Sequence, residues 1–86
     1  MTKIKNRRPV SKRQQMVIKL IMTGFSYADI SGEMNISYST VVTHVNRIKI
    51  RYLVRTEAEI VAFALNDGFT FNPNTRHVYY HGKVIL

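Results

Sequence analysis

Apolar positions along the chain fall into four stretches at helical spacing and a closing stretch rich in β-branched and aromatic residues. From Val10 to Thr23, Val17, Leu20 and Ile21 stand at i, i+3 and i+4, with Ser11 placed to cap the start and Gly24 the end. This spacing predicts a first helix of about three turns. A short second helix is expected from about Tyr27 to Met34, capped by Ser26 with Asp29 at the third helical position and with Ile30 and Met34 on one face. Asn35 can take the left-handed conformation that ends a helix, Ile36 can plug the core, and Ser37 can cap the next helix.

The third helix is the longest, from about Tyr38 to Tyr52. Val41, Val45, Ile48 and Tyr52 form one inward stripe at i, i+4, i+7 and i+11. Threaded between them are Asn46, Arg47, Lys49 and Arg51, together with small polar residues, so Tyr38, Ser39, Val42, Thr43, Asn46, Arg47 and Lys49 lie on the outer face or its flanks. A fourth helix starts at a capping box, Thr56 with Glu59, and stops at Asn66, Asp67 and Gly68. In this helix Ala58, Val61, Ala62 and Leu65 are expected toward the core, which leaves Ile60 and Phe63 as bulky apolar residues on another face. Beyond Gly68, turn signals at Pro73-Asn74 and His81-Gly82 divide the chain into two or three short strands. The expected organisation is a basic arm over 1–9, a helical domain over 10–69 and a β extension over 70–86.

Two helices joined by a tight turn, the second long and faced with short polar and basic side chains, make the helix-turn-helix layout. A helix that enters a major groove needs small polar side chains for close approach and Arg or Asn to reach base edges. Tyr38, Ser39, Thr40, Val42, Thr43, Asn46, Arg47 and Lys49 supply them.

Charge points the same way. The 86 residues carry 13 Lys and Arg against 5 Asp and Glu, a net +8, which suits a polyanionic partner. Lys3, Lys5, Arg7 and Arg8 crowd the N-terminal arm, and Arg7 and Arg8 are candidate phosphate or minor-groove contacts. An apolar fraction of 45% indicates a folded domain, yet no apolar run approaches the roughly 18 residues of a membrane span. Cysteine is absent, which removes disulfides, a thiol nucleophile and a zinc site of the finger type. His44, His77 and His81 are scattered without an acidic constellation, so they read as structural, and no enzymatic activity, cofactor or metal is expected. Phe69, Phe71, Tyr79 and Tyr80 could stack single-stranded bases, but core or interface packing is the more economical use. No secretory signal precedes the first helix, which makes the expected location cytoplasmic and nucleoid-associated.

From Val10 to Phe69 the chain also resembles the LuxR/GerE-type helix-turn-helix domain without a gap. The positions that carry the resemblance are Ser11, Arg13, Val17, Leu20, Gly24, Ser26, Ile30, Ile36, Ser37, Thr40, Val41, His44 and Ile48, then Val54, Glu59, Ala62, Ala64 and Leu65. It departs where the family usually has an acidic residue (Gln14), Lys (Val42), Leu (Tyr52) and Gly (Leu53). The resemblance implies a mainly α fold of four helices, here with a small C-terminal antiparallel β-hairpin or meander. It further implies a bacterial or phage transcription regulator that reads duplex DNA with the third helix and dimerises through the fourth. Ile60 and Phe63 are then the candidate dimer contacts. Val42, in place of Lys, offers a methyl surface suited to thymine.

The expected control is through abundance or a partner protein, since 86 residues leave no room for a receiver or ligand-binding domain. The rival reading is a protein-interaction module that binds RNA polymerase or another regulator with only weak DNA contact. Double-stranded RNA is a third possibility, disfavoured because its deep, narrow groove excludes a helix.

Overall fold

Each of the four helices starts where a hydroxyl side chain accepts the N–H of the residue three positions on. The computed structural model, which describes residues 8–86, shows α1 (Lys12–Met22), α2 (Tyr27–Met34), α3 (Tyr38–Tyr52) and α4 (Glu57–Asn66). Their caps are Ser11, Ser26, Ser37 and Thr56. Ser26 with Asp29 and Thr56 with Glu59 are reciprocal capping boxes, so Asp, although shorter than Glu, still reaches back to the cap N–H at 3.2 Å. Such a cap stabilises a helix by about 1 kcal/mol. Asn35 ends α2 in the left-handed conformation, as its short amide side chain allows.

The inward stripe of α3 is buried: Val41, Val45, Ile48 and Tyr52 are at most 1% exposed. They pack with Val17, Ile18, Leu20 and Ile21 of α1 and with Ile30 of α2 in a single core. At about 1.5–3 kcal/mol per fully buried aliphatic side chain, this stripe is what fixes α3 in place. Its outer face plays no part in that packing.

Helix α4 is rotated from the sequence expectation, and of the four residues expected toward the core only Val61 packs against it. Ile60 is fully buried with Ala64, Phe63 is half-buried and stacks on Tyr52 at 5.9 Å between ring centroids, and Ala58, Ala62 and Leu65 face outward. The reason is volume: the core takes the branched side chain of Ile60, which fills space, with Ala64 one turn on, and leaves Ala58 and Ala62 outside. Ile60 is therefore a core residue, and Ile60 and Phe63 do not form an exposed apolar pair.

Three antiparallel strands complete the chain in the order β1-β2-β3, comprising β1 (Phe69–Asn72), β2 (His77–Tyr80) and β3 (Lys83–Val84). Phe69 faces Tyr80 and Phe71 faces Val78 across the first pair. The sheet joins the helical core through Phe69, Val78, Tyr80 and Ile85. Phe69 and Tyr80 lie 4.4 Å apart between ring centroids inside it, so this pair is packing and not a platform for bases. Asn72 accepts the Asn74 N–H at 2.9 Å to shape the β1–β2 turn, and Arg76 at its end donates to the Thr23 carbonyl at 3.1 Å. A cation at the C-terminal end of α1 also meets the helix dipole favourably.

Candidate nucleic-acid interface

At 100° per residue, the side of α3 opposite the buried stripe carries Ser39, Thr43, Asn46, Arg47 and Ile50, and all five are exposed. Val42 and Lys49 lie half-buried on one flank and Thr40 and His44 half-buried on the other. Tyr38, 55% exposed at the first turn, leans on Tyr27 of α2 with 6.1 Å between ring centroids. Burial, with the Glu57 carboxylate beside it, pushes the Tyr27 hydroxyl up to about 12, so it stays a neutral donor. Tyr38 is thus propped from behind by a ring that is itself tied to the start of α4.

The N-terminal end of α3 is lined with hydroxyls. Ser37 Oγ accepts the Thr40 N–H at 3.1 Å and lies 3.1 Å from Ser39 Oγ and 2.8 Å from Thr40 Oγ1. No acidic residue stands in the first turn, which leaves the positive end of the helix dipole uncompensated and open to an anion. One turn further, Thr43 Oγ1 donates to the Ser39 carbonyl at 3.0 Å. With its proton so engaged, Thr43 presents an acceptor oxygen and a methyl group outward.

Behind this face stands His44, a base held below its ordinary range by burial first, then by the Arg13 and Arg47 guanidinium groups. Its Nδ1 is buried without a hydrogen-bond partner among the described residues. His77 lies exposed at the start of β2 and His81 exposed in the turn that follows it, both away from His44 in α3. Among the described residues no three histidine or acidic side chains gather in a way that could hold a metal ion.

Not every basic residue of α3 faces outward. The Arg51 side chain is only 8% exposed: its guanidinium donates to the Arg8 carbonyl, lies 3.8 Å from the Asp67 carboxylate and sits over the Tyr52 ring at 5.9 Å. Tyr52 in turn donates to Asp67 at 3.0 Å. Arg51 is therefore spent on joining the N-terminal approach, α3 and the end of α4, and it is not a groove contact. Arg8 is exposed beside it, whereas Arg7, together with Lys3 and Lys5, lies outside the described residues.

The sequence reading missed Ile50, 69% exposed and in line with Thr43 and Asn46. Its spacing of i+4 from Asn46 and i+7 from Thr43 was the available signal.

The model for bacterial regulatory proteins of the luxR family matches residues 8–64, more than half of the chain and nearly all of the four helices. The chain belongs to that family. Neither the curated proteins nor the solved structures contain a match to it. LuxR-family domains are DNA-binding modules of transcription regulators. The LuxR match stops before the sheet, so the contribution of β1 to β3 to the core belongs to this chain and not to the family pattern. No helix among the described residues is long and apolar enough to cross a membrane.

Proposed function

We propose that this chain is a sequence-specific transcription regulator that inserts α3 into the major groove of duplex DNA. The observation that carries the reading is the division of α3: four side chains wholly buried on one side, and Ser39, Thr43, Asn46 and Arg47 exposed on the other. Arg47 suits a bidentate contact to guanine and Asn46 one to adenine, while Thr43 accepts from a base amino group. Ser39, Thr40 and the start of α3 suit a backbone phosphate. Tyr38, Val42 and Lys49 border the contact, and Arg7 and Arg8 extend it along the backbone. A net charge of +8 supplies the non-specific attraction that brings the domain onto DNA and makes it nucleoid-associated in a bacterial or phage-infected cytoplasm.

The same reading includes a homodimer. The outward side of α4 offers two alanines and Leu65, 51% exposed, a surface on which two copies of the helix can approach closely. Two-fold symmetry then places two α3 helices on half-sites about one helical turn apart. Selection from random duplexes tests this. An enriched sequence with inverted half-sites is expected, and the absence of any enrichment would refute direct reading. The alternative, docking of α3 on RNA polymerase or another regulator, is favoured by the exposed Ile50 and Leu53, and it predicts that absence.

A further inference from the structure

A groove runs between α1, the end of α2 and the residues after β3, Ile85 and Leu86. Its larger part has a volume of about 490 Å³, and a second hollow of about 220 Å³ adjoins it along Lys12, Met16 and Leu86. The floor is apolar, made by Met16, Leu20 and Met34, and the rim carries three cations, Lys12, Arg13 and Lys19, against one acidic side chain, Glu33, and the main-chain oxygen of Leu86. None of the three cations makes an ion pair with an acidic side chain among the described residues. Lys19 donates to the main-chain oxygen of Leu86, at 3.4 Å. Methionine side chains adapt their shape to what they meet and recur on surfaces that take varied partners.

We propose that this groove binds an acidic amphipathic segment of a partner protein. Lys12 and Lys19 are seven residues apart on one helix face, roughly 10 Å along its axis. That is the span of two carboxylates at i and i+7 on a partner helix, whose apolar residues between them would meet Met16 and Met34. The charge excess of the rim selects an acidic segment, and the apolar floor selects against nucleic acid, whose backbone has no apolar side to bury there. Arg13 also acts electrostatically on His44, on the flank of α3. The groove thus borders the reading helix, and its occupant is positioned to modulate DNA binding.

The test uses the full chain with labelled methionine methyl groups and a synthetic 18-residue peptide bearing leucine at i, i+3, i+4 and i+7 and glutamate elsewhere. Binding is expected to shift the Met16 and Met34 methyl signals. It should weaken at least tenfold when the peptide glutamates are replaced by glutamine, or when Lys12→Ser and Lys19→Ser are combined. Met16→Gln should weaken it as well, and Arg47→Ala should leave it unchanged. Circular dichroism on each variant establishes that the fold is kept. The proposal is overturned if the methyl signals do not move, if Arg47→Ala weakens the peptide as much as the paired lysine change, or if a short DNA duplex alone produces the same methyl shifts. The last outcome would assign the cations to the DNA contact.

Discussion

The Val10 backbone N–H donates to the Tyr80 hydroxyl oxygen, 3.1 Å away across 70 positions of sequence, and the bond is buried. Gln15 completes the clasp by donating to the Val10 carbonyl at 2.8 Å. The approach to α1 is thereby fastened to a strand that the family pattern does not include. Tyr80→Phe would leave a buried N–H without a partner, which costs about 1–3 kcal/mol. Urea denaturation should register a loss in that range, and an unchanged midpoint would show that the bond contributes nothing.

Leu53 ends α3 in the left-handed conformation, with φ 57° and ψ 44°, and its side chain is 61% exposed. That conformation costs a non-glycine residue roughly 1–2 kcal/mol, partly offset because glycine loses more freedom on folding. Leu53→Gly should therefore stabilise the isolated domain by up to about 1 kcal/mol in urea denaturation. A clear loss would mean that Leu53 packs against something within the protomer.

His44 gives the fold a dependence on pH. Because burial and the neighbouring Arg13 and Arg47 lower its proton affinity in the folded chain, the unfolded chain binds the proton more readily. Stability from this group is full above the ordinary imidazole value near 6.5 and declines as pH falls below it. His44→Gln should flatten the decline measured between about pH 7 and 5. An equal decline in both proteins would assign it to other groups.

Helix α4 separates fold from assembly. Ile60→Ala opens a cavity in the core and should cost about 2–5 kcal/mol. Leu65→Glu changes an outward residue and should leave the urea midpoint nearly unchanged while shifting sedimentation toward the monomer. If Leu65→Glu sedimented as the unaltered protein does, α4 would not be the dimer contact.

How much of the fold was legible in the sequence depends on the range of each interaction. Caps and helix limits depend on residues three or four apart, and Ser11, Ser26, Ser37 and Thr56 announced them directly. The α3 stripe was equally legible because its other side is polar. Helix α4 is apolar nearly all round, so periodicity alone gave no reason to choose Ile60 over Ala58 and Ala62 for the core, and the choice fell on the wrong face. Arg51 looked like its neighbours Arg47 and Lys49. Only its pairing with Asp67 and Arg8, far away in sequence, reveals that it faces inward. The docking of the sheet through Tyr80 and Ile85 had no local signal at all.

The central claim is that the outward side of α3 reads bases. Its most direct test is the affinity of the unaltered chain and of Arg47→Ala for the selected duplex and for a random duplex, at one fixed salt concentration. Losing a bidentate base contact should weaken the selected duplex by about 1–3 kcal/mol and the random duplex much less, narrowing the ratio between them. Equal losses on both duplexes, or none on either, would contradict base reading by α3.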